Sequence, residues 1–320
     1  MKIVVLDGYC LNPGDLSWAD WKDLGDFELY DRTPKEKTVE RAKDAEIAIT
    51  NKTVFDRETI EALPKLKYIG VLATGYNVID VEAAAERGIP VTNVPTYSTD
   101  SVAEHTIGLL LELCRHSGLH SWLVSEGEWS SSKDFSFWRT PQVELSGKTM
   151  GIIGLGRIGR RVGEIALAMN MKVLGNKNKQ DNPLAGDFEW ASKERIFSDA
   201  DVVSLHCPQF PETEGMVNSD MLSMMKPSAF LLNTSRGGLI VDKDLANALN
   251  EEKIAGAALD VMTIEPPPEG NPLFDAKNCV ITPHIAWTTY EARTRLMKVA
   301  VDNLGAFLNG NPVNVVNQPK

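Results

Sequence analysis

Short apolar runs alternate with polar, helix-forming stretches along almost the whole chain. In the first hundred residues the strand candidates are IVVLD (3–7), FELY (27–30), EIAIT (46–50), KYIGVLA (67–73) and PVTNV (90–94), with stretches such as TVERAKDA and VEAAAERG between them. Strands alternating with helices predict a parallel sheet covered on both faces. The pattern restarts over 148–286, where TMGIIG, KVLGN, DVVSLH, AFLLN, GAALD and CVITPH make six short runs with helical segments between most of them. They predict a second, larger α/β unit.

Between the units, STDSVAEHTIGLLLELCRHSG sets Ala103, Ile107, Leu110, Leu111 and Cys114 at helical spacing, behind a Ser/Thr/Asp cluster suited to an N-cap. Gly118 is the expected end of this helix, which carries the chain from one domain to the next. Near the C-terminus EARTRLMKVAVDNLGAFLNG predicts a further amphipathic helix. The segment 120–141 departs from the scheme: it is polar and expected to be irregular, yet it holds Trp122, Trp129, Phe135, Phe137 and Trp138. Aromatic rings on a loop need cover, from their own domain or from a second subunit, and composition does not separate the two.

Composition narrows the class. With 320 residues there is room for two domains, and 43% hydrophobic with 24% charged residues is the mix of an ordinary globular protein. A formal charge of −11 disfavours a nucleic-acid partner, which calls for a basic face. Cys10, Cys114, Cys207 and Cys279 are scattered, with no C-x-x-C or Cys/His grouping, so no metal site is expected and the thiols are read as free and buried. The N-terminal MKIVVLDGY has too short an apolar run for a signal-peptide core and reads as a buried strand. No stretch approaches the roughly 20 apolar residues of a membrane span. The expectation is a cytosolic protein with no membrane partner.

Four stretches carry chemistry. MGIIGLGRIGRRVGEIALAM puts Gly154, Gly156 and Gly159 in G-x-G-x-x-G order, after an apolar strand and before a helical pattern. Gly154 allows the tight turn, Gly156 lets a pyrophosphate approach the backbone, and Gly159 lets helix and strand pack closely. The helix N-terminus then offers free N–H groups to the phosphates. LLNTSRGGLIVD, ALDVMTIEPPPEG and CVITPHIAWTT each follow an apolar run with a polar loop, carrying Arg236, Glu265 and His284 in turn. Singly these are a surface arginine, a solvated glutamate and a structural histidine. Together, at the ends of successive strands of one domain, they fit hydride transfer to a 2-keto acid. Arg236 would bind the carboxylate and polarise the carbonyl, His284 would exchange the proton, and Glu265 would pair with His284 and favour the imidazolium.

These motifs, with LATGYNVID (72–80) and SVAEHTIGLLL (101–111), resemble those of the D-isomer-specific 2-hydroxyacid dehydrogenases over essentially the whole chain. LDGYCLNPGDLSW and FSFWRTPQVELSGKT look most like the glycerate dehydrogenase/hydroxypyruvate reductase branch. The resemblance implies two doubly wound parallel-sheet domains. A Rossmann dinucleotide domain, 99–287, would be inserted into a flavodoxin-like substrate domain, 1–98 plus 288–320. It further implies substrate contacts from Ala73, Thr74 and Gly75, and cofactor contacts from Thr106, Arg157, Ile158, Cys207, Pro208, Thr234, Ser235, Asp260 and Ala286 alongside the three glycines. It also implies a homodimer clasped by about 117–147, with Trp138 reaching the partner's substrate pocket. Glu265 argues against the formate dehydrogenase branch, and the regulatory C-terminal domain of longer phosphoglycerate dehydrogenases is expected to be absent. The implied substrate is D-glycerate/hydroxypyruvate or glyoxylate. The competing class is a cofactor-sensing, corepressor-like scaffold of the same fold.

One position departs from the family pattern. In NAD-preferring members the strand after the glycine motif ends in an acid that binds the ribose hydroxyls. Here KVLGNKNKQ (172–180) puts Lys177 there, among Asn176, Asn178 and Lys179. A lysine attracts a 2′-phosphate, so the cofactor is NAD(H) or NADP(H) with a lean to NADP(H). The plainer reading is a solvent-facing lysine in an enzyme that uses NAD. Asp181 lies too far along the chain to replace the acid unless the loop brings it back.

Overall fold

In a computed structural model describing residues 1–318, the chain divides into two units. One is Met1–Ser98 together with the chain from Thr288 onward, and the other is Thr99–Trp287, which interrupts the first in sequence. No helix among the described residues is long and apolar enough to cross a membrane.

The first unit holds five parallel strands, β1 (Lys2–Val5), β2 (Asp26–Leu29), β3 (Ile47–Thr50), β4 (Tyr68–Val71) and β5 (Val91–Thr92), in the order β2-β1-β3-β4-β5. This is the flavodoxin-type order. Every residue of β3 and β4 is buried, as continuous apolar runs covered on both faces must be, whereas edge strand β2 is partly exposed. Asp7, just past β1, accepts from the N–H groups of Asn51 (2.7 Å), Lys52 (2.6 Å) and Thr53 (2.7 Å), which joins the loops after β1 and β3. The helix Tyr290–Leu308 belongs to this unit and sets Phe307 against Tyr68, with ring centroids 4.7 Å apart.

The second unit holds seven parallel strands: β6 (Thr149–Ile153), β7 (Lys172–Asn176), β8 (Phe188–Trp190), β9 (Val202–Leu205), β10 (Phe230–Asn233), β11 (Gly256–Leu259) and β12 (Cys279–Ile281). Their order is β12-β11-β10-β9-β6-β7-β8, so the direction of winding reverses between β6 and β9. Successive strand residues enter different cores. Ile153, Val203, Leu231 and Ala257 join one, and Ile152, Val202, Leu232 and Ala258 the other. Side chains alternate across a pleated sheet, and here both faces are packed, which is why the runs read as continuously apolar.

Five expectations need correction. The sheet has a seventh strand, β8, at its edge. The helix Thr99–Arg115 ends before His116, which takes a left-handed conformation (φ 46°), and Gly118 lies inside the next helix, Ser117–Ser125. Residues 120–125 are therefore helical rather than irregular. The buried face of the first helix uses Leu109 and Leu113, while Leu111 is exposed. Of the thiols only Cys114 is fully buried. Cys207 and Cys279 are partly so, and Cys10 is exposed at the end of the short helical turn Gly8–Cys10.

Candidate active site

The glycine turn follows β6 at the point where the winding reverses, where parallel α/β sheets bind ligands. Gly154 has φ 94°, and a Cβ there would stand 2.6 Å from the Cys207 nitrogen and the His206 carbonyl carbon at the end of β9. A Cβ on Gly159 would lie 2.3 Å from the Gly154 oxygen, so only glycine lets the helix Arg157–Ala168 begin this close to the strand. Nothing lies within 4 Å of a Cβ on Gly156, which caps that helix. The space is open where the first N–H groups of the helix lack intrahelical acceptors, and a dinucleotide's pyrophosphate fits it. Arg157 and Ile158 form the first helical positions, Arg157 exposed and Ile158 partly packed on the core. Cys207 is half-buried and Pro208 exposed. Burial pushes the neighbouring His206 imidazole down to about 4, so it is a neutral ring bonded to the Ser204 hydroxyl at 2.7 Å.

The neighbouring strands β10, β11 and β12 run parallel, so the loops after them leave the same edge of the sheet. Asn233, fully buried at the end of β10, shapes the first loop. Its Oδ1 accepts from the Ser235 N–H (3.1 Å) and hydroxyl (3.0 Å), and its Nδ2 donates to the Arg236 carbonyl (2.8 Å). The Arg236 guanidinium is half-buried and donates to the Ser235 carbonyl through Nη1 (2.7 Å). Among the described residues it has no carboxylate partner. Gly237 packs this loop onto the next, since a Cβ there would lie 1.9 Å from the Met262 carbonyl carbon.

In the loop after β11 the Met262 N–H donates to Glu265 Oε1 at 3.1 Å, and Glu265 Oε2 accepts from His284 Nδ1 at 2.7 Å. An ionised carboxylate only accepts, so the hydrogen-bond network assigns a proton to Nδ1. Nε2 has no partner among the described residues and is the atom available to exchange a proton. His284 is a third exposed and has a left-handed backbone, φ 55°. The structure therefore brings Glu265 and His284 into contact and sets Arg236 on the adjoining strand end.

Several expected cofactor residues lie beneath the surface of this edge. Asp260 is 1% exposed, with Oδ1 accepting from Thr282 (2.6 Å) and the Ile285 N–H (2.8 Å) and Oδ2 from the Ala286 N–H (2.9 Å). Burial pushes its pKa up, but these bonds and His105 outweigh that and hold it below the usual carboxylate range. Ala286 is buried, and its carbonyl accepts from the Ser101 hydroxyl. Thr106 has no exposed surface, and its hydroxyl meets that of Thr234, itself buried, at 2.8 Å. Ser101, His105 and Asn233 escaped the sequence reading. A serine and a histidine one turn apart on an otherwise apolar helix face were the available signal.

In the first unit Ala73, Thr74 and Gly75 follow β4. The carbonyls of Ala73 and Thr74 accept from the Val94 N–H (3.0 Å) and Asn93 Nδ2 (2.7 Å). Among the described residues no acceptor meets the N–H groups of 73–75, an arrangement suited to an anion. Trp138 is 65% exposed on the segment after Ser117–Ser125. Lys177, half-buried after β7, donates to Asp181 at 2.7 Å, and Lys179 lies 3.5 Å from the same carboxylate. The loop has therefore brought the distant acid back, and the hydrogen bond from Lys177 lowers its pKa. Arg160 donates to the Asn182 carbonyl of this loop.

Residues 107–286 match the family model described as "D-isomer specific 2-hydroxyacid dehydrogenase, NAD binding domain". The chain is 52% identical over 322 aligned residues to a hydroxypyruvate reductase of Blautia hydrogenotrophica, covering 99% of this chain and 100% of that one. It is 39% identical to a glycerate dehydrogenase of Methylorubrum extorquens, with 98% of each chain covered. Among solved structures it resembles an acyclic imino acid reductase in complex with NADPH and D-Arg, with a TM-score of 0.84, 34% identity, and 99% and 100% of the two chains covered.

Proposed function

The chain belongs to the D-isomer specific 2-hydroxyacid dehydrogenases, and from that membership we propose that it interconverts hydroxypyruvate, or the smaller glyoxylate, with the corresponding hydroxy acid. The observation that carries this reading is the 2.7 Å Glu265–His284 contact beside an arginine whose guanidinium has no carboxylate partner among the described residues. Arg236 binds the substrate carboxylate in its planar fork and polarises the adjacent carbonyl. His284 holds at Nε2 the proton that the carbonyl oxygen needs on reduction, and takes it back in the other direction. Glu265 fixes the ring through Nδ1, which leaves Nε2 facing the substrate's place. A bound nicotinamide supplies or accepts the hydride. The free N–H groups of Ala73–Gly75 support a carboxylate-binding role for that turn as well.

For the cofactor we propose NADP(H). Lys177, Lys179 and Arg160 surround the turn after β7, and among the described residues Asp181 is the one carboxylate paired there. That excess of positive charge favours a 2′-phosphate. Asp181 also supports a second reading, in which it accepts from the ribose hydroxyls of NAD(H). We further propose a homodimer through 117–147, whose rings at Trp122, Trp129, Phe135 and Trp138 are each more than half exposed, with Trp138 reaching the partner's substrate pocket.

Initial rates of hydroxypyruvate and glyoxylate reduction with NADPH and NADH test the reading. NADPH should be favoured, and Lys177→Ala should lower kcat/KM for NADPH about 10-fold while leaving NADH unchanged. A preference for NADH that Asp181→Ala abolishes replaces NADP(H) by NAD(H). No turnover with either cofactor across several 2-keto acids sinks the enzyme and leaves the corepressor-like scaffold.

A further inference from the structure

His105 projects from the helix Thr99–Arg115 with its side chain about three-quarters buried, and the proposed reaction gives it no role. Its Nε2 lies 3.1 Å from the Thr282 hydroxyl and 3.4 Å from Asp260 Oδ1. The Thr282 hydroxyl spends its own proton on Asp260, at 2.6 Å, so toward His105 it can only accept. Asp260 is an acceptor too, hence Nε2 must carry the proton. The bonds run one way, from His105 to Thr282 to Asp260.

Asp260 in turn is the point around which the His284 loop is folded. Its two oxygens hold the Ile285 and Ala286 N–H groups on one side of His284, and Thr282 on the other. One turn before His105 on the same helix, Ser101 holds the Ala286 carbonyl. His284 itself sits at φ 55°, a left-handed conformation that is unfavourable for a non-glycine residue and persists only where neighbours enforce it. The ring that exchanges the proton is therefore aimed by a strained backbone whose restraints converge on Asp260.

We propose that His105 is a positioning residue for His284, acting through Thr282 and Asp260 by donating the proton that orders their hydrogen bonds. It touches neither substrate nor cofactor. Its effect is to keep the His284 loop in its left-handed form with Nδ1 against Glu265. The inference rests on the proposed reduction of a 2-keto acid, with His284 as the proton carrier.

The test compares wild type, His105→Leu, His105→Gln and Thr282→Val in steady-state hydroxypyruvate reduction. Glutamine keeps a donor near the place of Nε2, whereas leucine and valine break the chain of bonds. His105→Leu and Thr282→Val should each lower kcat about 10- to 100-fold, the effect of misplacing a reacting group, with KM values nearly unchanged. His105→Gln should recover most of the loss. Wild-type kcat in His105→Leu overturns the proposal, as does a glutamine variant as poor as the leucine one. If His105→Leu does not fold, Thr282→Val decides, and full activity there overturns it. If wild type reduces no 2-keto acid, the reaction is misassigned, and the His284 ring 1H–13C signals decide instead. Signals displaced by His105→Leu and Thr282→Val but kept by His105→Gln uphold the positioning role, and undisplaced signals overturn it.

Discussion

Two arginines of this chain show how differently one side chain is used. Arg293, 8% exposed, spends its guanidinium on Asp15 (2.7 and 2.6 Å), the Leu11 carbonyl and the Thr288 carbonyl. Among the described residues the Arg236 guanidinium makes a single bond, to the neighbouring Ser235 carbonyl. The first arginine is structural, and the second has donors to spare for a ligand. Arg236→Lys keeps the charge but loses the fork, and lysine's compact ammonium cannot make two parallel bonds to a carboxylate. It should cost about 100-fold in kcat/KM for the 2-keto acid with cofactor affinity unchanged, measured by initial rates and by fluorescence titration of NADPH. A loss below about threefold would remove Arg236 from the site. Arg236, Glu265 and His284 could be read from the sequence because each is a reactive type in the loop that follows an apolar strand. Arg293 offers the same side chain, and only its long-range burial against Asp15 marks it as structural. Cys10 misled for the same reason, since nothing local shows that its loop faces solvent.

Elements are legible where packing on two faces forces a pattern, and illegible where it does not. The strands that feed both cores stand out as apolar runs. The three residues of β8 are all half-buried at an edge, too few to show a period. The helix Thr99–Arg115 stops three residues before Gly118, its expected end, because His116 already takes the left-handed conformation that breaks it. That same helix backs the active edge through Ser101, His105 and Thr106, joined to the His284 loop and to Thr234. Asp260 is the central acceptor of this arrangement, and its pKa gives it a pH signature. Its folded-state value is lowered, so its contribution is fully present above the unfolded value of about 3.9 and is lost as pH falls through the folded one. Asp260→Asn removes the charge and sets an amide donor among N–H groups. It should lower stability near neutral pH by about 2 kcal/mol, with the gap to wild type constant from about pH 8 to 5 and closing below about 4. Calorimetric melting across that range checks it. A gap that widens in acid contradicts the assigned direction.

At the scale of the whole molecule, a net charge of −11 makes two copies repel, and burial of apolar surface is what opposes that repulsion. The segment after Arg115 offers it. Trp122 is 56% exposed, Trp129 52%, Phe135 91% and Trp138 65%. Polar pins inside the segment hold it in shape without covering these rings: Arg139 Nε donates to Glu128 at 3.0 Å, and Trp129 Nε1 donates to the Phe135 carbonyl at 2.9 Å. Composition alone left open whether the rings were covered by their own domain. The structure leaves these four outside and half-buries Phe137 near His120, and their exposure supports the proposed homodimer. Light scattering should therefore give twice the chain mass of 35.2 kDa for wild type, and the single mass for Trp122→Asp with Phe135→Asp at unchanged circular dichroism. A single mass for wild type, or twice that mass for the double variant, removes this segment as the interface. The role proposed for Trp138 adds a sharper condition. If its ring narrows the partner's pocket, then Trp138→Ala, still dimeric, and the double variant, now monomeric, must shift the preference between hydroxypyruvate and glyoxylate in the same direction. A monomer with wild-type preference confines Trp138 to the interface.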